Sequence, residues 1–206
     1  MKSLVSPYSL GYGLKWPSSN LVSLITRQIS RVPKVEIGLD FACGLGAHGR
    51  FLESLGFSKV FYADQDEVAL KKSQAYLNSS PFNGTRVFLK DIKDIKEHNQ
   101  IVDVVVDRAG LQHVNPESLE SILETLHLLM RRNKTQSNSF IATEWTFAAP
   151  RESQTKRFPN VTYFSEALFL IKKFFFIEEQ TFLVSTKSLE NLKSANTVVN
   201  ALLLPK

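Results

Sequence analysis

The single cysteine in 206 residues, Cys43, has no partner within the chain, which excludes an internal disulfide framework and suits a reducing compartment. Long apolar runs are missing too. No stretch approaches the roughly 20 residues of a membrane span, and the opening 16 residues hold no apolar core of signal-peptide length. The expected location is therefore the cytoplasm, with no membrane partner; the N-x-[ST] matches at Asn78, Asn83, Asn133 and Asn160 then read as chance. Several catalytic signatures are absent as well: the G-x-x-x-x-G-K-[ST] phosphate loop, H-E-x-x-H, the G-x-S-x-G elbow and any cluster of cysteines. No metal site is expected. Positive charge exceeds negative by five and the pI is near 9.3, yet Lys and Arg are scattered, densest at 131–134 and 151–157. No aromatic–basic alternation of the kind that lines a nucleic-acid groove occurs. A nucleic-acid partner is the less favoured reading.

What is present is a chain 43% hydrophobic, enough for one full α/β core. Its most informative stretch is 35–52, VEIGLDFACGLGAHGRFL. An apolar run ends in Asp40, turns through Ala42, Gly44 and Gly46, and opens into a helix, which is how a backbone approaches a nucleotide-bearing cofactor. A second apolar strand, Lys59–Ala63, ends in Asp64, 24 positions after Asp40. Two carboxylates at neighbouring strand tips suit a ribose-containing ligand. Gly44-Leu45-Gly46-Ala47-His48-Gly49 also satisfies G-x-G-x-x-G literally, with Asp64 at dinucleotide spacing. Electrostatics argues against a dinucleotide, because Asp40 at the first tip would face the pyrophosphate. A cofactor carrying positive charge and no phosphate fits better. The chain also lacks a Tyr-x-x-x-Lys pair and a second domain for a dehydrogenase substrate.

The residues 40–52, DFACGLGAHGRFL, resemble the first motif, D-x-G-C-G-x-G-x-H-x-x-x-L, of class I S-adenosylmethionine-dependent methyltransferases. Residues 61–70, FYADQDEVAL, resemble that family's second-strand motif, and the similarity extends at lower specificity over about 33–185. The resemblance implies S-adenosylmethionine as cofactor and a methyl acceptor as second substrate. It places Asp40, Ala42, Cys43, Gly44 and Gly46 at the methionine end, with Asp64 and Gln65 at the ribose. Asp91 and Ile92 belong at the adenine, and Asp107 near the methyl group. Two departures stand out: Ala42 replaces the family's first glycine, and 131–138, RRNKTQSN, replaces the Pro-Gly-Gly turn before the fifth strand.

Periodicity predicts a helix over 21–29 capped by Ser18 or Ser19, then alternating elements. Strands are expected at 59–63, 85–89, 101–106 and 139–144, with helices at 49–55, 67–77, 116–130 and 165–173. Strands at 177–184 and 198–204 form a terminal antiparallel pair. The expected architecture is a doubly wound Rossmann-like α/β sheet of seven mostly parallel strands with helices on both faces. Residues 1–34 form an N-terminal helical segment or lid and 35–206 the Rossmann-like domain.

For catalysis, His113 after the fourth strand is the general-base candidate, with Glu144 as the second catalytic group; a structural role for His113 and an ion pair of Glu144 with Arg108 are the competing readings. Arg108, Trp145, Tyr12 and Trp16 are candidate acceptor-binding residues, the last two as a lid or as simple packing. Asp40 and Asp64 have helix-capping alternatives, and Asp66 replaces Asp64 if the register slips by two. The small size and missing insertions point to methylation of a small molecule, at oxygen. The alternatives are RNA methylation and a non-catalytic cofactor-binding subunit.

Overall fold

Short β-branched and aromatic runs separated by amphipathic segments give the strand–helix alternation, and the central strands are apolar on both faces because helices cover both. A computed structural model describes residues 13, 15–32, 34–98, 101–130, 139–145, 164–185 and 196–206. The elements follow in order: α1 (Ser19–Ile29), β1 (Ile37–Phe41), α2 (Ala47–Ser54), β2 (Lys59–Ala63), α3 (Glu67–Asn78), β3 (Thr85–Leu89), β4 (Val104–Arg108), α4 (Pro116–Met130), β5 (Phe140–Trp145), α5 (Phe164–Phe174), β6 (Phe175–Ser185) and β7 (Asn196–Pro205). Two 3-10 turns, Ile92–His98 and Leu111–His113, follow β3 and β4.

The seven strands run β3-β2-β1-β4-β5-β7-β6. β1 to β5 pair in parallel, and β7 is antiparallel to both β5 and β6. Between β1 and β4 the winding direction reverses, leaving a crevice at the strand tips where ligands bind in such sheets. Leu39, Val105 and Ile141 pack on one face with α4 and α5. Val104, Val106 and Ala142 pack on the other with Leu21, Leu24 and Ile25 of α1 and Leu52 of α2. These three α1 side chains each contribute about 1.5–3 kcal/mol by leaving water, so α1 shares the sheet's own core.

Beneath the sheet's far tip, Glu53 joins three elements. It accepts from Arg86 at both oxygens, 2.6 and 2.8 Å, and from the Tyr62 hydroxyl at 2.7 Å. Tyr62 stacks on Phe88 with centroids 5.1 Å apart. The resulting rigid ring sets the approach of α2, since a Cβ on Gly49 would come within 2.2 Å of it.

The expected elements are observed, with shifted ends. β4 starts at Val104 rather than at 101, because the Asp103 carboxylate turns back to accept the N–H groups of Glu36 and Ile37 at 2.8 and 2.9 Å. Ser18 occupies the cap position of α1, yet its side chain makes no cap hydrogen bond; its hydroxyl is committed elsewhere. The replaced turn at 131–138 lies outside the described residues.

Candidate functional site

At the winding reversal the tips of β1, β2, β3 and β4 surround a cleft of about 400 Å³, within the range of small-molecule sites. Its floor is built by two tight turns. Ala42 after β1 and Ala109 after β4 both sit in the left-handed region, at φ 53° and 61°, a conformation that disfavours any side chain. Gly110 lets the turns meet, since a Cβ there would lie 2.6 Å from the Ala42 Cβ and 2.7 Å from Asp107 Oδ1.

The carboxylates divide by depth. Asp64 is half-buried and lines the cleft. It accepts Gly44 N–H at 2.8 Å and Asp66 N–H at 2.9 Å, so it also holds both turns. Burial raises its pKa, and these two bonds oppose the rise. Asp66 itself caps α3 through Val68 and Ala69 N–H. Asp91 and buried Ile92 line the same wall, with Asp91 accepting Lys93 N–H at 2.9 Å, and Gln65 is exposed beside them.

Asp40 and Asp107 lie deeper and outside the lining. Asp40 is buried and accepts Gly49 N–H at 2.7 Å, capping the first turn of α2. Burial first, then the charges of Asp64 and Asp107, hold its pKa well above the carboxylate range against the Gly49 bond. Asp107 takes the Thr143 hydroxyl at 2.5 Å and Leu111 N–H at 3.0 Å, which sets the turn leading to His113. Burial pushes it up to about 6. Cys43 is buried behind the turn with its thiol pKa raised by burial, while Gly44 and Gly46, at φ 54° and 77°, shape the turn through backbone alone.

This turn is not an anion cradle. Gly44 N–H goes to Asp64, Gly46 N–H to Cys43 O at 2.8 Å and Gly49 N–H to Asp40. Three of the turn's donors are therefore engaged, two of them by carboxylates, which disfavours a pyrophosphate there and suits a cationic, phosphate-free cofactor.

The β4 and β5 tips carry a second cluster, beside α1. Glu144, buried, accepts Arg108 Nε at 3.0 Å on one oxygen, and Ser18 Oγ at 2.6 Å and Asn20 Nδ2 at 3.3 Å on the other. His48 Nε2 accepts Ser18 N–H at 3.1 Å, so its proton sits on Nδ1. Burial, then the Arg108 charge, lowers its pKa to about 4. Glu144 is thus held as an ion-pair and clasp residue: both oxygens are engaged and it lies outside the cleft lining. His113 does line the cleft, beside Arg108, and partial burial lowers its pKa. Trp145 belongs to the core under α4 and α5, since strand alternation turns it away from the Glu144 face. Trp16, 73% exposed, lies over Arg50 at 5.7 Å on the outer surface of α2 and not in the cleft. Tyr12 lies outside the described residues. Ser18, Asn20, His48, Ala109 and Gly110 were not legible as site residues, apart from the placement of His48 in the turn. Among the described residues no cluster of acids, His and Cys could hold a metal, and no helix is long and apolar enough to cross a membrane.

Residues 39–133 match the model of a family described as a methyltransferase domain. No curated protein matches the chain in sequence. Among solved structures, the N-methyltransferase NodS from Bradyrhizobium japonicum, in complex with S-adenosyl-L-homocysteine, aligns at TM-score 0.65 with 12% identity, over 98% of this chain and 93% of that one. A SAM-dependent methyltransferase from Methanosarcina mazei aligns at 0.65 with 15% identity, over 86% and 96%. The magnesium protoporphyrin IX methyltransferase from Synechocystis, with bound SAM, aligns at 0.59 with 14% identity, over 89% and 77%.

Proposed function

We propose that this chain, whose residues 39–133 match a methyltransferase-domain family, is a class I S-adenosylmethionine-dependent methyltransferase that methylates a small molecule at oxygen with His113 as general base. The observation that carries this reading is the make-up of the cleft, with acids at the β2 and β3 tips and Arg108 and His113 at the β4 tip. Asp64 would take the ribose hydroxyls, and Asp91 with Ile92 the adenine. Asp40 and Asp107 act from behind, holding the first turn of α2 and the turn to His113.

Bound cofactor supplies an electrophilic methyl group on a sulfonium. The chain's part is to position the acceptor and to take its proton. In-line displacement needs mainly positioning, which contributes up to about 7–11 kcal/mol. A hydroxyl acceptor must also lose a proton as it attacks, and a neutral imidazole can receive it. His113 is exposed at the cleft, and the desolvation that lowers its pKa favours the neutral imidazole. The oxygen assignment follows from His113, which can take the proton that a hydroxyl acceptor loses.

His113→Ala should lower turnover by about 10²–10⁴ while calorimetric affinity for S-adenosylhomocysteine stays within a few-fold. Wild-type turnover should fall on acidification below the usual imidazole range, and this limb should vanish in the variant. Labelled-methyl transfer from S-adenosylmethionine into a metabolite pool, with total RNA as the competing arm, tests the acceptor class. Label entering RNA alone would overturn the small-molecule reading, and full turnover without His113 would remove the base.

A further inference from the structure

The charges around the cleft are sorted by position. Asp64 and Asp91 stand at the tips of β2 and β3. Lys90, also on that side, is spent on Glu67 at 2.6 Å. At the β4 tip the lining carries Arg108, whose side chain is 33% exposed. Its Nε donates to Glu144, and among the described residues its two Nη groups meet no acceptor. A guanidinium has five N–H donors in a planar fork, so most of its donor capacity is left over in a partly desolvated place.

Glu144 cannot swing away to absorb those donors. Its side chain is 5% exposed, and Ser18 and Asn20 hold its second oxygen. The pairing therefore orients Arg108 through Nε and leaves the Nη edge to whatever enters the cleft. Half-buried Nη donors want acceptors, and an oxyanion with two oxygens meets that fork bidentately. His113 lines the same end.

We infer that Arg108 is a specificity residue selecting methyl acceptors that carry an anionic group, a carboxylate or a phosphate ester, alongside the hydroxyl presented to His113. This rests on the methyltransferase reading above. It narrows the substrate class to hydroxy acids and phosphate monoesters that bear a free hydroxyl.

Three probes of similar ring size test it on the full chain saturated with S-adenosylhomocysteine: benzoate, phenyl phosphate and benzyl alcohol. Binding is followed by the Arg108 Nε–Hε resonance, identified from its absence in Arg108→Lys, and by calorimetry. One of the two anions should bind at least tenfold tighter than the neutral alcohol, and comparison between them tells carboxylate from phosphate. Arg108→Gln should cut that preference below threefold while S-adenosylhomocysteine affinity stays within threefold. Arg108→Lys, which keeps charge but not the fork, should retain part of it. If Arg108→Gln does not fold, the wild-type comparison and the lysine variant decide. Equal binding of anions and alcohol with the cofactor product bound overturns this inference alone. Failure of S-adenosylhomocysteine to bind overturns it together with the methyltransferase reading.

Discussion

Replacing Glu144 with Gln separates the clasp from a catalytic role. The wild-type carboxylate is buried and receives Arg108 Nε at 3.0 Å, Ser18 Oγ at 2.6 Å and Asn20 Nδ2 at 3.3 Å. Gln fits the same space but offers one acceptor oxygen, and its amide donor must face one side of the cluster. If it faces Arg108, two donors meet. If it faces Ser18, the hydroxyl can turn to accept, yet the Arg108 bond still loses its charge. Hydrogen bonds to charged groups contribute about 1.5–3 kcal/mol, so Glu144→Gln should destabilise the protein by about that much. The loss should concentrate where the clasp acts. Urea unfolding gives the global value, and amide exchange in Ser19–Ile29 should accelerate more than exchange in β1 or β4. Glu144→Ala should cost more, about 3 kcal/mol or above, because the Arg108 charge then loses its buried partner. A Glu144→Gln protein within about 0.5 kcal/mol of wild type, with unchanged α1 exchange, would refute the clasp. If such a protein also lost turnover, Glu144 would return to the chemistry.

Asp64→Ala should weaken S-adenosylhomocysteine binding by at least tenfold by calorimetry, since it removes the proposed ribose acceptor and also releases the Gly44 and Asp66 N–H groups; unchanged affinity would place the cofactor elsewhere. Gly49→Ala should cost about 1–3 kcal/mol in thermal or urea unfolding, because the new Cβ meets a Tyr62 ring held by Phe88 and Glu53, and Tyr62→Leu in the same background should recover part of it. Asp107 holds its proton to about pH 6 when folded, against 3.8 for the free side chain, so the folded state binds more protons between those values. Its contribution is full below about pH 4 and is lost as pH rises through 6. The difference corresponds to about 3 kcal/mol. Asp107→Asn keeps an acceptor for Leu111 N–H and a donor for the Thr143 oxygen, so relative to wild type it should gain stability between pH 4 and 7.5 by about that amount, read from urea midpoints; a flat difference would place the proton elsewhere.

The order of elements was legible because it depends on local pattern. Apolar runs of five or six residues, small residues in the turn at 42–46 and helical spacing from Leu119 to Met130 define strands, turns and helices wherever they occur in a fold. The acid closing each early strand was legible for the same reason, as was Asp64 at the cleft. Depth was not. Asp40, Asp64, Asp107 and Glu144 look alike in sequence, each at a strand tip. Only the assembled sheet makes Asp64 a cleft residue, Asp40 a cap for α2, Asp107 a brace for the next turn and Glu144 the anchor of α1. Strand alternation sends Glu144 and Trp145 to opposite faces, and which face meets α1 is decided by packing alone. Ser18 was legible as a cap and became a ligand of Glu144 126 positions away. Local preferences are set by neighbours in the chain, and they determined the elements. Burial, charge and hydrogen-bond partners arise between residues far apart in sequence, and the tertiary structure alone decided which polar groups face the cleft and which hold it up.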